Sequence, residues 1–272
     1  MKRKLEPDEI KGRLFSILSD FADYCDANGL RYYLCYGTLL GAVRHHGFIP
    51  WDDDIDVMMP RPDFDKLAAL DLKGMNPNYK LIGYALGNSL WPFFKIQDVS
   101  TCTENEYKRN NKHLWIDIFP MDGLPNDIKA SDKVLNRTNK LRKYFKYYGA
   151  IIGKGKNTFR ALAKIPVILL GKCGGLRFLS RYMDTLARRY DFDQSEFVGE
   201  IAWSLGKSER MKKSEYLPAT EVEFNGKQFH APACWDYYLT SIYGDYMTPP
   251  EESDRTTHKF IAYAIEESAE PQ

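Results

Sequence analysis

Residues 36–57 read YGTLLGAVRHHGFIPWDDDIDV, and this stretch indicates the fold better than any other part of the chain. It closes on Asp54-Ile55-Asp56-Val57. In a β-strand, successive side chains point to opposite faces, so the two aspartates would share one face while the two aliphatic residues point into the core. Carboxylates held this close repel each other unless a cation lies between them, and oxygen ligands suit Mg²⁺ or Mn²⁺. The stretch therefore predicts a strand that carries metal ligands.

A Gly-Thr pair, Gly37-Thr38, stands near the start of the same stretch. Glycine lets backbone N–H groups approach a phosphate closely, and Thr38 is a suitable N-cap for a short helix through about Arg44. An ordinary strand-to-helix turn would use the same residues, and both interpretations can hold together. A phosphate-binding turn followed by a strand with paired acids is typical of metal-dependent phosphoryl or nucleotidyl transferases.

A third acid, Asp117, lies in the apolar segment Trp115–Phe119. Its neighbours Ile116 and Ile118 face one way and Asp117 the other, so its carboxylate needs solvent, a partner or a metal ion. An edge strand facing solvent is the alternative. We expect Asp117 to come from a strand adjacent to Asp54 and Asp56, so that the three acids form the catalytic and metal-binding cluster.

Three further residues are candidates for substrate binding. Arg44 could grip phosphate oxygens with two N–H groups, or form a surface ion pair. Lys95 lies in the apolar segment WPFFKI, so its ammonium needs either a substrate phosphate or the carboxylate cluster. His258 could act as a base or bind phosphate near neutral pH.

The stretch GTLLGAVRHHGFIPWDDDIDV also resembles the signature of the LicD-type transferases, relatives of the fukutin group in the nucleotidyltransferase-fold superfamily. A second similar block is LWIDIFPMDG (114–123), and a third, weaker one is YGDYMTPPE (243–251). The resemblance implies a Mg²⁺-dependent phosphotransferase that moves phosphocholine or an alditol phosphate from a CDP-linked donor to a glycan hydroxyl and releases CMP. It also implies a role in modifying a cell-surface glycan, such as lipopolysaccharide or teichoic acid.

Two other functions compete with this one. A nucleotidyltransferase of the same fold would move NMP from an NTP to a small molecule or protein, and would release pyrophosphate instead. A non-catalytic protein that binds an anionic glycan or membrane would have no need of three acids in matching blocks. No nucleic acid partner is expected.

The composition, 44% hydrophobic and 28% charged over 272 residues, is that of a globular protein. The five cysteines are scattered and suggest neither a disulfide framework nor a zinc site. The chain starts MKRKLEPDEI, without an apolar segment, and its longest apolar run, Ile165–Leu170, is too short to span a bilayer. We therefore expect a cytoplasmic protein.

The charge is unevenly distributed although the net charge is only +1. Residues 133–190 hold fifteen Lys or Arg and one acid, Asp184, which leaves 23 basic and 36 acidic residues elsewhere. We expect this basic segment (133–189) to contact an anionic partner, with the apolar run 161–170 along the inner membrane face as a peripheral attachment. Alternatively, the run packs inside a helical subdomain and the charges face water or the acceptor.

The hydrophobic pattern predicts an α+β fold, a mixed sheet flanked by helices. We expect a catalytic core (1–126), a basic helical segment (127–195) and a C-terminal segment (196–272) that packs back on the core. Helices are expected at 8–28, 38–44, from Pro62, 127–148, 158–170, 176–190 and 235–243. Strands are expected at 31–36, 54–58, 80–84, 91–97, 113–119 and around Trp203, with a hairpin at 221–229 that turns at Asn225-Gly226.

Overall fold

The structure of the protein is a computed structural model, which describes residues 2–105, 112–148, 151, 165–255, 257 and 260–265. The helices of this part of the chain are α1 (Pro7–Asn28), α2 (Tyr36–His45), α3 (Arg61–Leu70), α4 (Ile128–Arg142), α5 (Ile165–Leu170), α6 (Leu176–Ala187), α7 (Lys213–Tyr216) and α8 (Trp235–Tyr243). The strands are β1 (Lys2–Lys4), β2 (Tyr33–Leu34), β3 (Asp56–Pro60), β4 (Tyr79–Ile82), β5 (Phe94–Asp98), β6 (Thr101–Glu104), β7 (Leu114–Gly123), β8 (Phe197–Gly199), β9 (Met211–Lys212), β10 (Ala219–Phe224), β11 (Lys227–Pro232) and β12 (Ile261–Ile265).

The central sheet has the order β2-β3-β7-β5-β4. Strand β8 pairs with the C-terminal end of β7, and β9 pairs with β8. Strands β3 and β7 are parallel, while the other pairs are antiparallel. All ten residues of β7 are buried, as expected for a mostly apolar strand in the middle of a covered sheet. The predicted α+β fold with a mixed sheet is confirmed.

Helix α1 covers the sheet and follows its predicted pattern. Its N-terminus has a capping box between Glu6 and Glu9, and its C-terminus ends at Gly29, whose φ of 60° is left-handed. Its buried residues recur at helical spacing and join the main core, namely Leu14, Ile17, Leu18, Phe21, Ala22, Tyr24 and Cys25.

The predicted hairpin is formed by β10 and β11, and it supports the helix that follows β2. Asn225 and Gly226 both have positive φ, 50° and 81°, which is the conformation of a type I′ turn. The Asn225 N–H donates to the carbonyl of His46 at the end of α2, with an N–O distance of 2.8 Å. The C-terminal part of the chain thus fixes one end of α2.

Several predicted element boundaries were wrong. Strand β3 begins at Asp56 and not at Asp54, because its pairing with β7 starts at Asp56 and its pairing with β2 at Val57. Before the strand, the Asp52 N–H closes a turn onto the Ile49 carbonyl. Trp203 lies in a turn closed by its N–H to Glu200, not in a strand. The small sheet β1-β12-β6 was not predicted, since its strands are short and far apart in sequence.

The basic segment is helical where it is described. Asp127 caps α4 by accepting from the Ala130 N–H, and α6 packs on the core through the Ser180 hydroxyl, which donates to the Leu90 carbonyl. Residues 149–150 and 152–164 lie outside the described residues, so only the end of the helix predicted at 158–170 is described, as α5. The division into three domains at 126 and 195 stays a prediction. No helix in the described ranges combines the length and apolar character needed to cross a bilayer.

Candidate active site

Three neighbouring strands place charged side chains side by side. Asp56 on β3 pairs with Asp117 on β7, and Asp117 pairs with Lys95 on β5. Adjacent strands lie about 4.8 Å apart, and paired residues point to the same face of the sheet. The prediction that Asp117 lies on a strand adjacent to Asp56 is therefore confirmed.

Asp117 and Lys95 form a buried ion pair. The Lys95 Nζ lies 2.5 Å from Asp117 Oδ1, and Trp115 Nε1 donates to Asp117 Oδ2 at 3.2 Å. The Lys95 ammonium also lies over aromatic rings, those of Trp115 (4.7 Å), Trp91 (5.0 Å) and Phe93 (5.2 Å). Of the two partners that the sequence allowed for Lys95, the structure shows the carboxylate cluster.

Acidic side chains converge at the floor of an open pocket of about 550 Å³, lined by Asp52, Asp54 and Asp56. Burial raises the pKa of Asp56 well above its usual range, and the negative charges of Asp54, Asp117 and Asp52 raise it further. Lys95 acts in the opposite direction but does not cancel this effect. The pocket floor therefore carries an excess of negative charge that a bound cation would relieve.

The side chains of this cluster are of the type that binds Mg²⁺, since all of their donor atoms are carboxylate oxygens. Within the described ranges, no group of three or more His, Cys, Asp or Glu side chains is arranged to hold a metal ion. Both oxygens of Asp117 already contact protein groups, Lys95 and Trp115. Metal binding by Asp54, Asp56 and Asp117 stays a prediction.

The first turn of α2 borders the same pocket. Gly37 lines it, and a Cβ atom at this position would lie only 2.8 Å from Asp52 Oδ2. A side chain at this position would therefore displace the Asp52 carboxylate from its place beside the helix. The N-terminus of a helix carries partial positive charge, which favours both the nearby acids and a bound phosphate.

Thr38 has a different role from the one predicted. The N-cap of α2 is Cys35, so Thr38 lies inside the helix and does not cap it. The Thr38 side chain is buried, and its Oγ1 accepts from the Asp56 N–H at 2.8 Å. The hydroxyl thus fixes the start of β3 to the first turn of α2. Contact of Thr38 with a substrate phosphate stays a prediction.

Arg44 lines the pocket about two turns beyond Gly37 along α2. Its Nη1 donates to the Tyr246 carbonyl at 2.6 Å, and its Nε to His45 Nε2 at 3.0 Å. Burial lowers the pKa of Arg44. These contacts hold the guanidinium at the pocket wall, and its binding to phosphate stays a prediction.

The opposite wall comes from the C-terminal part of the chain, where His258 was the predicted site residue. The residues that line it are Tyr243, Asp245, Tyr246, Thr248, Pro250, Asp254, Arg255 and Thr257. The Arg255 guanidinium lies 4.3 Å from the centre of the Trp51 ring, a cation–π contact across the mouth of the pocket. His258 itself lies outside the described residues.

Comparison with known proteins agrees with this geometry. Residues 29–148 match the family model described as LicD/FKTN/FKRP, nucleotidyltransferase domain. Residues 29–148 are therefore similar to a LicD-type nucleotidyltransferase domain. This confirms the resemblance predicted from the sequence.

Two relatives illustrate the range of the LicD family. The chain is 29% identical to the lipopolysaccharide cholinephosphotransferase LicD of Haemophilus influenzae, over 92% of this chain and 95% of that protein. It is 32% identical to the ribitol 5-phosphate transferase FKRP of Mus musculus, over 35% of this chain and 17% of that protein. Only the first of these two alignments extends over nearly all of both chains.

The LicD domain match contains the acids and α2 but ends before the opposite wall of the pocket. Five of the residues in that wall belong to the block YGDYMTPPE, and these are Tyr243, Asp245, Tyr246, Thr248 and Pro250. The block was therefore the available signal, although it did not single out a residue. Tyr243 and Asp56 line the same pocket. Although Tyr243 is 43% exposed as a whole residue, burial of its phenol raises its pKa, and the charge of Asp56 raises it further.

Proposed function

We propose that this protein is a Mg²⁺- or Mn²⁺-dependent phosphotransferase. It moves a phospho-substituent, phosphocholine or an alditol phosphate, from a CDP-linked donor to a glycan hydroxyl and releases CMP. The observation that carries this proposal is the register of β3 and β7, which pairs Asp117 with Asp56, a residue that lines the same pocket as Gly37 in the first turn of α2.

The names of the relatives support the substrate class. A cholinephosphotransferase and a ribitol 5-phosphate transferase both transfer a phosphate that carries a small polar group. The lipopolysaccharide in the name of the first relative supports a glycan acceptor, and its alignment covers nearly all of this chain. The cytidine carrier follows from the resemblance of the sequence motifs, and the pocket has room for a nucleotide-sized donor.

In this reaction we assign roles to the first turn of α2, Arg44 and the three aspartates. The first turn of α2 and Arg44 bind phosphate oxygens of the donor. Asp54, Asp56 and Asp117 would hold the metal ion, which when bound neutralises the charge of the transferred group. The acceptor oxygen forms a bond to the β-phosphorus as the bond from that phosphorus to CMP breaks. The proton of the hydroxyl passes to a carboxylate of the acidic cluster.

Identification of the nucleotide product tests this proposal. The purified protein is incubated with Mg²⁺, a candidate glycan, and in turn CDP-choline, CDP-ribitol and CTP. Release of CMP together with phosphorylated glycan supports the phosphotransferase. Release of pyrophosphate from CTP would instead establish the nucleotidyltransferase, and the absence of both products with every donor would contradict a transferase of either kind.

We propose in addition that the basic segment attaches the enzyme to an anionic membrane surface, on the cytoplasmic side. In the described part, Phe178 on α6 is 72% exposed and Leu169 on α5 is 47% exposed, and Arg177 and Arg181 beside them face solvent. Exposed apolar and basic side chains on a short amphipathic helix suit a bilayer surface better than a soluble anion. Within the described part of the predicted run, 165–170, Ile168 is buried, so we assign the membrane contact to Leu169 and not to Ile168.

Vesicle co-sedimentation tests the attachment. The protein should bind vesicles that contain phosphatidylserine at low salt, bind neutral vesicles weakly, and dissociate at high salt because the basic side chains are then screened. Phe178→Glu should weaken binding more than Glu223→Gln, a charge-removing control at an exposed site in the hairpin. Equal sedimentation of both variants, or none with the wild type, would leave the packed subdomain as the correct account.

A further inference from the structure

The backbone at the start of α2 has an unusual conformation. Tyr36 has a φ of 46°, in the left-handed region that side chains other than glycine seldom adopt. It directly precedes Gly37, which lines the pocket. Such a conformation persists only where the surrounding structure holds it, and such positions cluster at functional sites. The contacts that hold Tyr36 are therefore of interest.

The Tyr36 side chain is anchored from a distant part of the chain. Its hydroxyl donates to Glu209 Oε1 at 2.8 Å, and both side chains are buried. The Tyr36 ring also packs edge-to-face on Phe119, with ring centres 5.4 Å apart, and against Tyr238 at 6.2 Å. The hydrogen bond is the polar contact among these, and it joins positions 173 residues apart.

Glu209 has little reason to be buried apart from this contact. It ends the 3-10 helix Lys207–Glu209 and is 1% exposed. Its Oε1 also accepts from the Leu205 N–H at 3.3 Å, whereas its Oε2 has no hydrogen-bond partner among the described residues. Burial of an incompletely paired carboxylate is unfavourable, so such a group is retained for a specific interaction or function.

A continuous set of contacts leads from Glu209 to the acidic cluster. The Glu209 carboxylate holds Tyr36, the backbone continues through Gly37 to Thr38, and the Thr38 Oγ1 accepts from the Asp56 N–H. Gly37 in turn lies against Asp52 Oδ2. A shift in Tyr36 would therefore displace both the first turn of α2 and the first residue of β3.

We propose that Glu209 is a positioning residue for phosphoryl transfer. It does not line the pocket, but through Tyr36 it sets the first turn of α2 against Asp56. This inference rests on the proposed function, because the turn that Glu209 holds is the one assigned to donor phosphate. The competing account is that Glu209 and Tyr36 only contribute to the stability of the core.

Three variants separate positioning from simple packing. Tyr36→Phe removes only the hydroxyl and leaves a side chain with the same backbone preference. Glu209→Leu removes the acceptor, while Glu209→Gln keeps an acceptor oxygen and serves as the conservative variant. Positioning predicts that Tyr36→Phe and Glu209→Leu each lower kcat roughly tenfold, the scale of one hydrogen bond to a charged group. Glu209→Gln should recover most of this loss.

A double variant and a measurement without substrate complete the test. Tyr36→Phe combined with Glu209→Leu should be no slower than the slower single variant, because both remove the same contact. By hydrogen exchange, a peptide that covers 33–42 should exchange faster in Tyr36→Phe, while one from α1 should not change. Hydrogen exchange needs no substrate, so it tests the positioning by Glu209 even if the protein turns over no donor. Failure of this inference can therefore be distinguished from failure of the proposed function.

The possible outcomes are distinct. Loss of kcat with recovery in Glu209→Gln, together with faster exchange confined to 33–42, supports positioning. Wild-type kcat in Tyr36→Phe, additive losses in the double variant, or unchanged exchange at 33–42 would overturn it. If the activity of the variants falls only in proportion to the fraction of protein that is unfolded at the assay temperature, and Glu209→Gln is no more active than Glu209→Leu, the packing account is correct.

Discussion

Replacement of Glu209 by Gln should make the stability of the protein less dependent on pH. The Glu209 carboxyl is buried, and burial raises its pKa from the usual 4.5 to about 7, although hydrogen bonds from Tyr36 and Leu205 oppose the shift. In the unfolded chain the group returns to its ordinary pKa. Folding therefore favours the protonated carboxyl.

The sign and size of the effect follow from these two pKa values. Below about pH 4.5 the carboxyl is protonated in both states, and its raised pKa has no effect on the free energy of unfolding. As pH rises through 4.5 toward the folded pKa of about 7, the unfolded state releases its proton first and the folded state loses stability. A pKa shift of this size corresponds to a loss of about 3 kcal/mol of unfolding free energy, and this loss should be absent in the glutamine variant.

Other buried groups near Glu209 change the size of this pH dependence of stability but not its direction. Burial raises the pKa of Glu200, and the charge of Glu209 raises it further. Removal of that charge would lower the pKa of Glu200 and so reduce its own contribution to the pH dependence. Asp122, with a pKa raised to about 6 by burial, is present in both proteins and acts on both. Arg142 lowers the pKa of Glu209 only as the weakest of its influences.

Urea unfolding of wild type and Glu209→Gln at about pH 4.5 and about pH 8 measures the difference directly. The change in unfolding free energy between the two pH values should be about 3 kcal/mol smaller in the variant. Comparison of two changes cancels any pH-independent cost of the substitution, and Glu223→Gln controls for loss of an exposed carboxyl. The same pH dependence in wild type and variant would show that Glu209 is not buried with a raised pKa, and would refute the reasoning.

Four further predictions concern the acidic cluster and the pocket wall. Asp56→Asn should lower turnover by orders of magnitude and leave the fold intact. The control Asp53→Asn changes a neighbouring residue that does not line the pocket, and this variant should keep most of its activity. Full turnover in a folded Asp56→Asn protein would exclude the cluster from catalysis. Turnover should disappear with excess EDTA and return with Mg²⁺ or Mn²⁺, and undiminished turnover in chelator would exclude the metal. Lys95→Met should cost about 3 to 5 kcal/mol of unfolding free energy in urea, because Asp117 would lose its buried partner. An unchanged unfolding midpoint in Lys95→Met would show that the Lys95–Asp117 pair is not buried. Arg44→Ala, in contrast, should weaken donor binding, measured by calorimetry, and leave the unfolding free energy nearly unchanged.

The sequence predicted the features that depend on local patterns. Alternation of polar and apolar residues correctly placed Asp56 and Asp117 on strands with Ile55 and Ile116 turned inward, because the period of a strand is short and unambiguous. The Asn225-Gly226 turn was predicted for a similar reason, since few residue pairs adopt two positive φ angles.

Features set by contacts between distant parts of the chain were missed. Thr38 was assigned as a cap because its residue type favours that position, but Tyr36 begins the helix two residues earlier, in a conformation that only tertiary contacts hold. The pairing of Glu209 with Tyr36 spans 173 residues and follows no local pattern. The Trp51–Arg255 contact at the pocket mouth is missed for the same reason.

The three aspartates differ in their surroundings, and this difference bears on how the site works. Asp54 and Asp56 line the pocket, whereas Asp117 lies behind them with both oxygens bound by Lys95 and Trp115. The Lys95 ammonium thus compensates negative charge at Asp117, whereas Asp54 and Asp56 face the pocket. Because a cation is attracted to negative charge, the metal ion proposed above would meet Asp54 and Asp56 before Asp117 as it enters from the pocket.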